Sequence, residues 1–388
     1  MAQRLTSRQL LEKLVSFPTV STDSNLDLVD WVEEYLAGHG VTAYRDYNED
    51  RSKASLYAHI GPDVEGGLVL SGHTDVVPVA GQDWVTDPWQ VVEKDGKLFG
   101  RGTCDMKGFD ALALALVPLA LERGLKRPLQ IALSRDEEIG CVGAPPMIEA
   151  MHARGLPRAS AAIIGEPSMM KAVTGHKGGT GFKTHIHGFE VHSSLQHTGV
   201  SATMEAGKLI QWANEQNALN AAKAPGPLNA NFVPHWTTLH IGMIEGGTAN
   251  NITAKDCRFV ITVRCVPGET LADWKAAYLA KVAQVQAEMQ AIVPETWIET
   301  EEFYDVPGLV PEPEGEAEAL VRQITGDNGT HVVSYGTEAG QFQAQGYSAV
   351  ICGPGDIAQA HQPNEYITLE QFAAGEAFMH RLLDHLAD

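Results

Sequence analysis

Short apolar segments that break into a loop carrying a histidine or a carboxylate recur four times along this chain. The first covers Leu68 to Leu70, breaks at Ser71-Gly72, and is followed by His73 and Asp75. An apolar run of this length with glycine beside it is typical of a buried strand that ends in a loop. Because sites in α/β proteins lie at the carboxyl ends of strands, we predict that the four loops build one shared site.

The other three segments lead to further charged side chains. They are residues 128–134, followed by Asp136, Glu137 and Glu138; residues 161–164, followed by Glu166; and residues 347–351, followed after a Gly-Pro-Gly loop by His361. One more carboxylate, Asp105, lies in a loop between two glycines. Histidine nitrogen and carboxylate oxygen are ligands that zinc takes in proteins. The pattern therefore predicts a zinc site.

The order of the predicted elements indicates an α/β protein with an insertion. Residues 1–177 alternate helix-like and strand-like segments with short connections, which is typical of α/β domains, and residues 305–388 return to that pattern. Residues 178–304 instead give the order βαββαβ of a ferredoxin-like unit. We predict a domain built from residues 1–177 and 305–388 and interrupted by this compact insert. The glycine-rich residues 175–181 are predicted to form a hinge.

Net charge and cysteine usage restrict the partners and the compartment. The 388 residues carry a formal net charge of -21, which argues against binding to nucleic acid or to anionic membranes. No apolar run reaches the roughly 18 residues of a membrane span, and we see no apolar signal region at the N-terminus. The five cysteines form no CxxC pair, so we expect reduced thiols and a cytoplasmic location.

Five motifs carry a resemblance that spans nearly the whole chain. They are SGHTDVVPV, GRGTCDMKGF, DEEIG, GEPS and AHQPNEY. In this order they resemble the zinc-dependent M20 peptidases and deacylases. The resemblance implies a zinc-peptidase-like catalytic domain with a mixed sheet. It also implies that the insert is a lid that joins two subunits into a homodimer.

The same resemblance implies two zinc ions per subunit, with cobalt as a substitute. Asp105 would bridge the two ions, which lie about 3.5 to 4 Å apart in sites of this kind. His73 and Glu166 would complete the first site. Glu138 and His361 would complete the second. A water molecule at the metal centre would be the nucleophile.

Three further residues are expected to take catalytic roles, Glu137 and His192 by the same resemblance and Asp75 by its position two residues after His73. Glu137 would be the general base that removes a proton from the water and passes it to the leaving amine. Asp75 would accept the second N–H of His73 and fix its tautomer. His192 would reach the active site of the partner subunit and stabilise the oxyanion. We interpret three nearby histidines as surface or strand-face residues: His185, His187 and His197.

Two residues of the insert are predicted to bind substrate. Arg264, in VITVRCVPGE, matches a position that holds a substrate carboxylate, and its guanidinium suits a two-point contact. Asn251, which follows GGTAN, is expected to contact the same carboxylate. The implied partner is therefore a small N-acyl amino acid.

Within that family, the segments GTEAGQF and CGPGDIAQAHQPNEY resemble members whose activity is hydrolysis of N2-acetyl-L-ornithine, a step of arginine biosynthesis, and the resemblance implies this activity. Alternatives within the family are a succinyl-diaminopimelate desuccinylase, a broad N-acyl amino acid deacylase and a dipeptidase. A metal-dependent protein that binds a ligand without catalysis is an alternative from another class. The intact acidic run from Asp136 to Glu138 and the presence of His192 favour an enzyme.

Overall fold

The chain divides into two compact units in the computed structural model, which describes residues 4–388. The first unit contains the residues up to Gly175, together with Pro311–Val332 and Thr337–Asp388. The second contains His176–Val310 and Val333–Gly336. Residues 1–3, which the first predicted domain includes, lie outside the described part.

The first unit is built on a mixed sheet of eight strands. In their order across the sheet, these are β1 (Ala43–Tyr47), β2 (Ala54–Ile60), β6 (Leu129–Ser134), β3 (Leu68–His73), β7 (Ala161–Pro167), β14 (Ser348–Gly353), β8 (Val173–His176) and β13 (His331–Val333). A second, three-stranded sheet contains β4 (Val92–Lys94), β5 (Lys97–Phe99) and β15 (Tyr366–Thr368).

Helices pack against this sheet and enclose the core of the first unit. They are α1 (Ser7–Val15), α2 (Leu26–Gly38), α3 (Lys107–Arg123), α4 (Ala144–Ala153), α7 (Glu316–Thr325), α8 (Ala339–Ala344) and α9 (Leu369–Ala387). Helix α3 is buried on nearly all sides, as its apolar sequence predicts. No helix within residues 4–388 is long and apolar enough to cross a membrane.

The four central strands explain why the charged loops meet. Strands β6, β3, β7 and β14 run parallel, so their carboxyl ends lie along one edge of the sheet. Strand β3 continues to His73 and does not end at Leu70 as predicted. The reason is that Gly72 is a strand residue beside α3, where a Cβ would lie 2.0 Å from Asp110 Oδ1. This glycine permits close packing and does not break the strand.

The second unit has the predicted βαββαβ order. Its antiparallel sheet has the strand order β10-β11-β9-β12. The elements are β9 (Gly178–His187), α5 (Ala202–Ala221), β10 (Thr238–Gly246), β11 (Asp256–Cys265), α6 (Leu271–Gln290) and β12 (Trp297–Val306). The predicted fold class, a mixed-sheet α/β domain with a ferredoxin-like insert, is confirmed.

The boundary between the two units falls after Gly175, at the start of the glycine-rich segment that was predicted to be a hinge. From Gly178 onward the residues of this segment belong to strand β9. A Cβ on Gly181 would lie 2.6 Å from ring atoms of Phe303 and Tyr304. The glycine therefore makes room for aromatic side chains of the neighbouring strand β12.

Candidate metal centre and active site

The structure brings the five predicted ligands together at the carboxyl edge of the central strands. His73 ends β3, Asp105 lies in the loop before α3, and Glu138 follows β6. Glu166 lies within β7, and His361 lies in the loop before β15. His73, Asp105 and Glu166 are buried, whereas 51% of the His361 side chain is exposed. The centre therefore has a buried side and a side open to solvent.

The carboxylate of Asp105 lies between the two histidines. Its Oδ1 is 3.1 Å from His73 Nε2, and its Oδ2 is 3.2 Å from His361 Nε2. Glu166 Oε1 is 3.8 Å from His73 Nε2, and Glu138 Oε2 is 3.0 Å from His361 Nε2. The side chains thus form two groups that share Asp105, with one oxygen turned to each group.

Burial and mutual repulsion alter the protonation of these groups. Burial raises the pKa of Glu166 well above its ordinary range, and the nearby Asp105 raises it further. Burial also raises the pKa of Glu138. Hydrogen bonds to Asp105 and Glu138 raise the pKa of His361 to about 10. The raised pKa values of the carboxyls and of the imidazole share one cause beside burial, which is the crowding of negative charge at this centre. Bound cations would reduce that repulsion.

A metal centre fits these side chains. Two histidine nitrogens and three carboxylates form a donor set that suits zinc. Glu166 Oε1 is buried and has no hydrogen-bond partner within residues 4–388, as expected of an oxygen that faces a cation. The donor atoms of His73, Asp105 and Glu138 lie within 4.8 Å of one another. The same holds for His73, Glu137 and Glu166, so the predicted base lies at the edge of this centre.

The three consecutive acids after β6 have different partners. Asp136 forms ion pairs with Lys53 and, at 2.9 Å, with Arg135. These two cations neutralise its charge, and none of the predicted ligands is among its partners. Its backbone is left-handed, with φ of +58°, and this turn separates it from the two glutamates. Glu138 contacts His361. Within residues 4–388, Glu137 is the acid of this run that has neither a cation nor a histidine as its hydrogen-bond partner.

Glu137 has the environment of a general base. The side chain is half-buried, but its carboxyl group lies among protein atoms. This burial, opposed in part by the charge of His73, raises its pKa to about 8. The thiol of Cys141 donates a hydrogen bond to Glu137 Oε1 across 3.1 Å. A carboxyl that is poised near neutral pH and oriented by a neighbour is suited to proton transfer.

The structure changes the role expected for Asp75. His73 Nδ1 donates to the backbone carbonyl of Asp75 at 2.9 Å, whereas the carboxylate lies farther away, at 3.7 Å. The Asp75 carboxylate instead accepts from the backbone N–H groups of Glu137 and Glu138 at 3.1 and 3.3 Å, and from the Ser21 hydroxyl at 2.7 Å. Asp75 thus fixes the imidazole through its main chain and the acidic loop through its side chain.

Glu365 is a positioning residue that the sequence analysis missed. Its Oε1 accepts from the backbone N–H groups of Cys104 and Asp105 at 2.9 and 3.0 Å. Its Oε2 pairs with Arg101 at 2.7 Å, and both side chains are buried. The loop that carries Asp105 is therefore held by the AHQPNEY segment, which also supplies His361.

Glu338 is a second residue that was missed. It accepts from the Ser71 hydroxyl of β3 at 3.2 Å and from the Ser134 hydroxyl of β6. These serines lie just before His73 and the acidic run. Burial raises the pKa of Glu338 to about 7. The carboxyl joins the ends of two strands that present ligands.

The second unit places His192 beside Asn251. The Ser193 N–H donates to the Asn251 carbonyl at 2.8 Å, and His192 forms an isolated bridge with Ile252. His192 is exposed, and its Nδ1 accepts from the Ser194 backbone N–H at 3.2 Å. A neutral ring with this acceptor carries its proton on Nε2. The exposed ring can therefore donate from Nε2, which has no hydrogen-bond partner within residues 4–388.

Arg264 lies at the other end of the same sheet. It pairs with Gly179 and Thr238 across neighbouring strands, and it lies near Tyr304. No acidic side chain within residues 4–388 lies at ion-pair distance from its guanidinium. Arg264 is thus available for an external carboxylate, but the structure does not bring it together with Asn251.

A family model matches most of the chain, and two curated relatives match nearly all of it. Residues 69–385 match peptidase family M20/M25/M40. The chain is 34% identical to an acetylornithine deacetylase from Myxococcus xanthus over 97% of each chain. It is 33% identical to an acetylornithine deacetylase from Pasteurella multocida over 93% of each chain.

Solved structures share the fold at lower identity. An M20 family metallo-carboxypeptidase from Sulfolobus solfataricus has a TM-score of 0.76 at 17% identity, with 99% of both chains covered. A dinuclear metal-binding peptidase of the M20 family from Bacillus subtilis has a TM-score of 0.66 at 15% identity. That comparison covers 98% of this chain and 97% of the other.

Proposed function

The chain belongs to peptidase family M20/M25/M40, and we propose that it is a dinuclear zinc amidohydrolase that converts N2-acetyl-L-ornithine to L-ornithine and acetate. The observation that carries the proposal is the carboxylate of Asp105, whose two oxygens each face a different histidine. A shared carboxylate of this kind supports two metal ions side by side. The activity would serve arginine biosynthesis.

The donor set supports two ions per subunit, zinc or its substitute cobalt. Asp105 would bind both ions. His73 and Glu166 would complete one site, and Glu138 and His361 the other. When bound, the ions supply Lewis acidity that polarises the amide carbonyl and makes a neighbouring water easier to deprotonate.

Glu137 moves the proton in the proposed reaction. Water adds to the acetyl carbonyl carbon while the Glu137 carboxylate takes a proton from that water. The carbon–nitrogen bond then breaks, and Glu137 returns the proton to the amine nitrogen of ornithine. Asp75 supports this step because it holds the backbone of Glu137 and Glu138. Such general-base catalysis contributes typically about 10²- to 10⁴-fold to the rate.

Residues of the second unit would bind the substrate and stabilise the oxyanion that forms from it. Arg264 would bind the substrate carboxylate with its guanidinium. His192 would donate from Nε2 to the oxyanion, with Asn251 beside it. Since Arg264 and His192 lie at opposite ends of one sheet, we propose that His192 and Asn251 come from the partner subunit of a homodimer.

The relatives named acetylornithine deacetylases favour an acetylated amino acid over a peptide. All five cysteines are buried and unpaired, which supports the proposed cytoplasmic location. The net charge of -21 argues against a nucleic-acid or anionic-membrane partner.

A rate comparison tests this function. The zinc-loaded protein is assayed with acetylornithine, succinyl-diaminopimelate, acetylmethionine and a dipeptide. We expect the highest kcat/KM for acetylornithine, and loss of that activity on chelation with recovery on adding zinc. A higher kcat/KM for another substrate would assign the protein to a different member of the family. Absence of zinc-dependent hydrolysis with all four would favour a binding protein.

A further inference from the structure

Three polar side chains lie close together on the sheet of the second unit, and none of them belongs to the metal centre described above. His185 and His187 are two residues apart on β9, so both project from the same face of the sheet. Asp256 begins β11 and pairs directly with His187. Asp256 Oδ1 lies 2.8 Å from His185 Nε2 and 3.0 Å from His187 Nδ1. One oxygen thus faces two imidazole nitrogens, and the three donor atoms lie within 4.8 Å of one another.

Trp297 of strand β12 supports both imidazoles. The His187 ring stacks on the indole with centroids 4.9 Å apart and an interplanar angle of 10°. The His185 ring meets the same indole edge-on, at 4.8 Å and 81°. Because both imidazoles pack against the same indole, their ring nitrogens are oriented before a ligand binds.

The cluster is open to solvent without being fully exposed. The side chains of His185, His187 and Asp256 are 21%, 28% and 39% exposed. The neighbouring residue Ile186 points to the opposite face, where it is buried in the core of this unit. A cation can therefore reach the donors from the helix-free face, and water can fill further coordination positions.

We propose that His185, His187 and Asp256 bind a divalent cation of the zinc type. Two imidazoles and one carboxylate are a common three-ligand set for zinc, with the remaining position taken by water. Tetrahedral zinc with ligands at about 2.0 to 2.2 Å separates its donor atoms by roughly 3.3 to 3.6 Å, and Asp256 Oδ1 lies 2.8 and 3.0 Å from the two ring nitrogens. The structure thus needs little rearrangement to admit the ion.

The surrounding charges do not oppose a cation. Arg258 on β11 and Glu299 on β12 are the cross-strand partners of His185. They carry opposite charges on either side of it. Asp256 supplies one negative charge at the cluster, so neutral imidazoles leave a net attraction for a cation.

The bound ion would link neighbouring strands. Its ligands lie on β9 and β11, and Trp297 joins the cluster to β12. A ligand that binds only the folded state stabilises that state by mass action. The site therefore predicts zinc-dependent stabilisation of the second unit, independent of the proposed hydrolysis.

Zinc content of the full-length protein tests the site. Metal-free protein is equilibrated with micromolar free zinc, and bound zinc per chain is measured by elemental analysis. We expect Asp256→Asn and His185→Gln each to hold one zinc fewer per chain than the parent, with affinity at this site reduced at least about tenfold. His240→Gln is the control, since His240 is an exposed histidine on β10 of the same unit, and it should match the parent.

Copper quenching gives a second readout that does not depend on those ligand variants. Cu²⁺ bound beside Trp297 should quench its fluorescence, and that part of the quenching should be lost in Trp297→Phe.

Acetylornithine hydrolysis should be unchanged in His185→Gln, which separates this site from the centre at Asp105. Equal zinc content in the parent and in the folded ligand variants would overturn the proposal. Equal copper quenching in Trp297→Phe would also overturn it.

Discussion

At the scale of single residues, two neighbouring glutamates of the proposed site have different partners. Asp75 accepts from both of their backbone N–H groups, so the main chain of Glu137 and Glu138 is fixed as one piece. Their side chains then separate, because Glu138 contacts His361 while Glu137 contacts the Cys141 thiol. The assignment of base and ligand therefore follows from partners that sequence order alone does not specify.

Glu137→Gln and Glu138→Gln should have opposite phenotypes. Glu137→Gln removes the base but no ligand, so we expect full zinc content and a loss of about 10²- to 10⁴-fold in kcat. Glu138→Gln removes a ligand, so we expect it to lose zinc. Elemental analysis and steady-state kinetics on both variants check this. If the two phenotypes were exchanged, the roles of the two glutamates would be reversed.

Cys141 is expected to be a positioning residue for the base. Its thiol donates to Glu137 Oε1, and a neutral hydrogen bond is worth about 0.5 to 1.5 kcal/mol. Cys141→Ala should therefore lower kcat by about threefold to tenfold with KM unchanged. Cys141→Ser keeps a donor at nearly the same place and should recover most of the rate. Equal rates in both variants would show that the hydrogen bond does not orient the base.

The proposed ligand residues can be picked out in the sequence because four of them follow an apolar run and Asp105 lies in a loop between two glycines. The residues that hold them cannot. Glu365 lies 260 positions from the N–H of Asp105 that it accepts from, and only the folded chain brings the two together. The carboxylate of Asp75 was assigned to His73 from spacing, but the nearer backbone carbonyl takes that hydrogen bond.

At the scale of elements, the loop before α3 should depend on Glu365. This carboxylate holds two N–H groups of the loop and pairs with the buried Arg101. Glu365→Gln weakens both contacts and should lower zinc affinity by about 10- to 100-fold, measured by competition with a chelator. Glu370→Gln, on the exposed face of α9, is the control. Unchanged zinc affinity in folded Glu365→Gln would contradict this role.

Two edge strands show the limit of predicting strands from hydrophobic periodicity. Strands β1 and β13 form the two edges of the large sheet, and their residues are half-buried throughout. Half-buried residues give neither an apolar run nor an alternation. Helix α3 begins at Lys107, four residues before its apolar run starts at Ala111, and its first turn makes tertiary contacts. One of these is the bond from Lys107 Nζ to the Phe17 carbonyl.

At the scale of the whole molecule, the second unit alone cannot place both of its predicted substrate contacts in one site. Arg264 lies near the end of β11, and His187, five residues before His192, pairs with Asp256 at its start. Eight residue steps of a strand span roughly 26 Å. The carboxylate and the acetyl group of the substrate are only a few bonds apart. A site that uses both Arg264 and His192 must therefore take one of them from another copy.

Mixed dimers test this arrangement directly. His192→Ala and Glu137→Gln homodimers should each turn over poorly, since loss of an oxyanion donor costs about 10²- to 10³-fold. In a heterodimer of the two, a site with wild-type Glu137 and wild-type His192 exists only if His192 acts across the interface. Subunit exchange should then restore half of the parent rate per heterodimer. The matched control is Glu137→Gln mixed with Glu138→Gln. Both residues belong to the first unit of the same subunit, so each site of this mixed dimer lacks one of the two glutamates and the mixture should stay inactive. If exchange is verified by mass spectrometry and the first mixture stays as inactive as the control, His192 does not act in the partner's site.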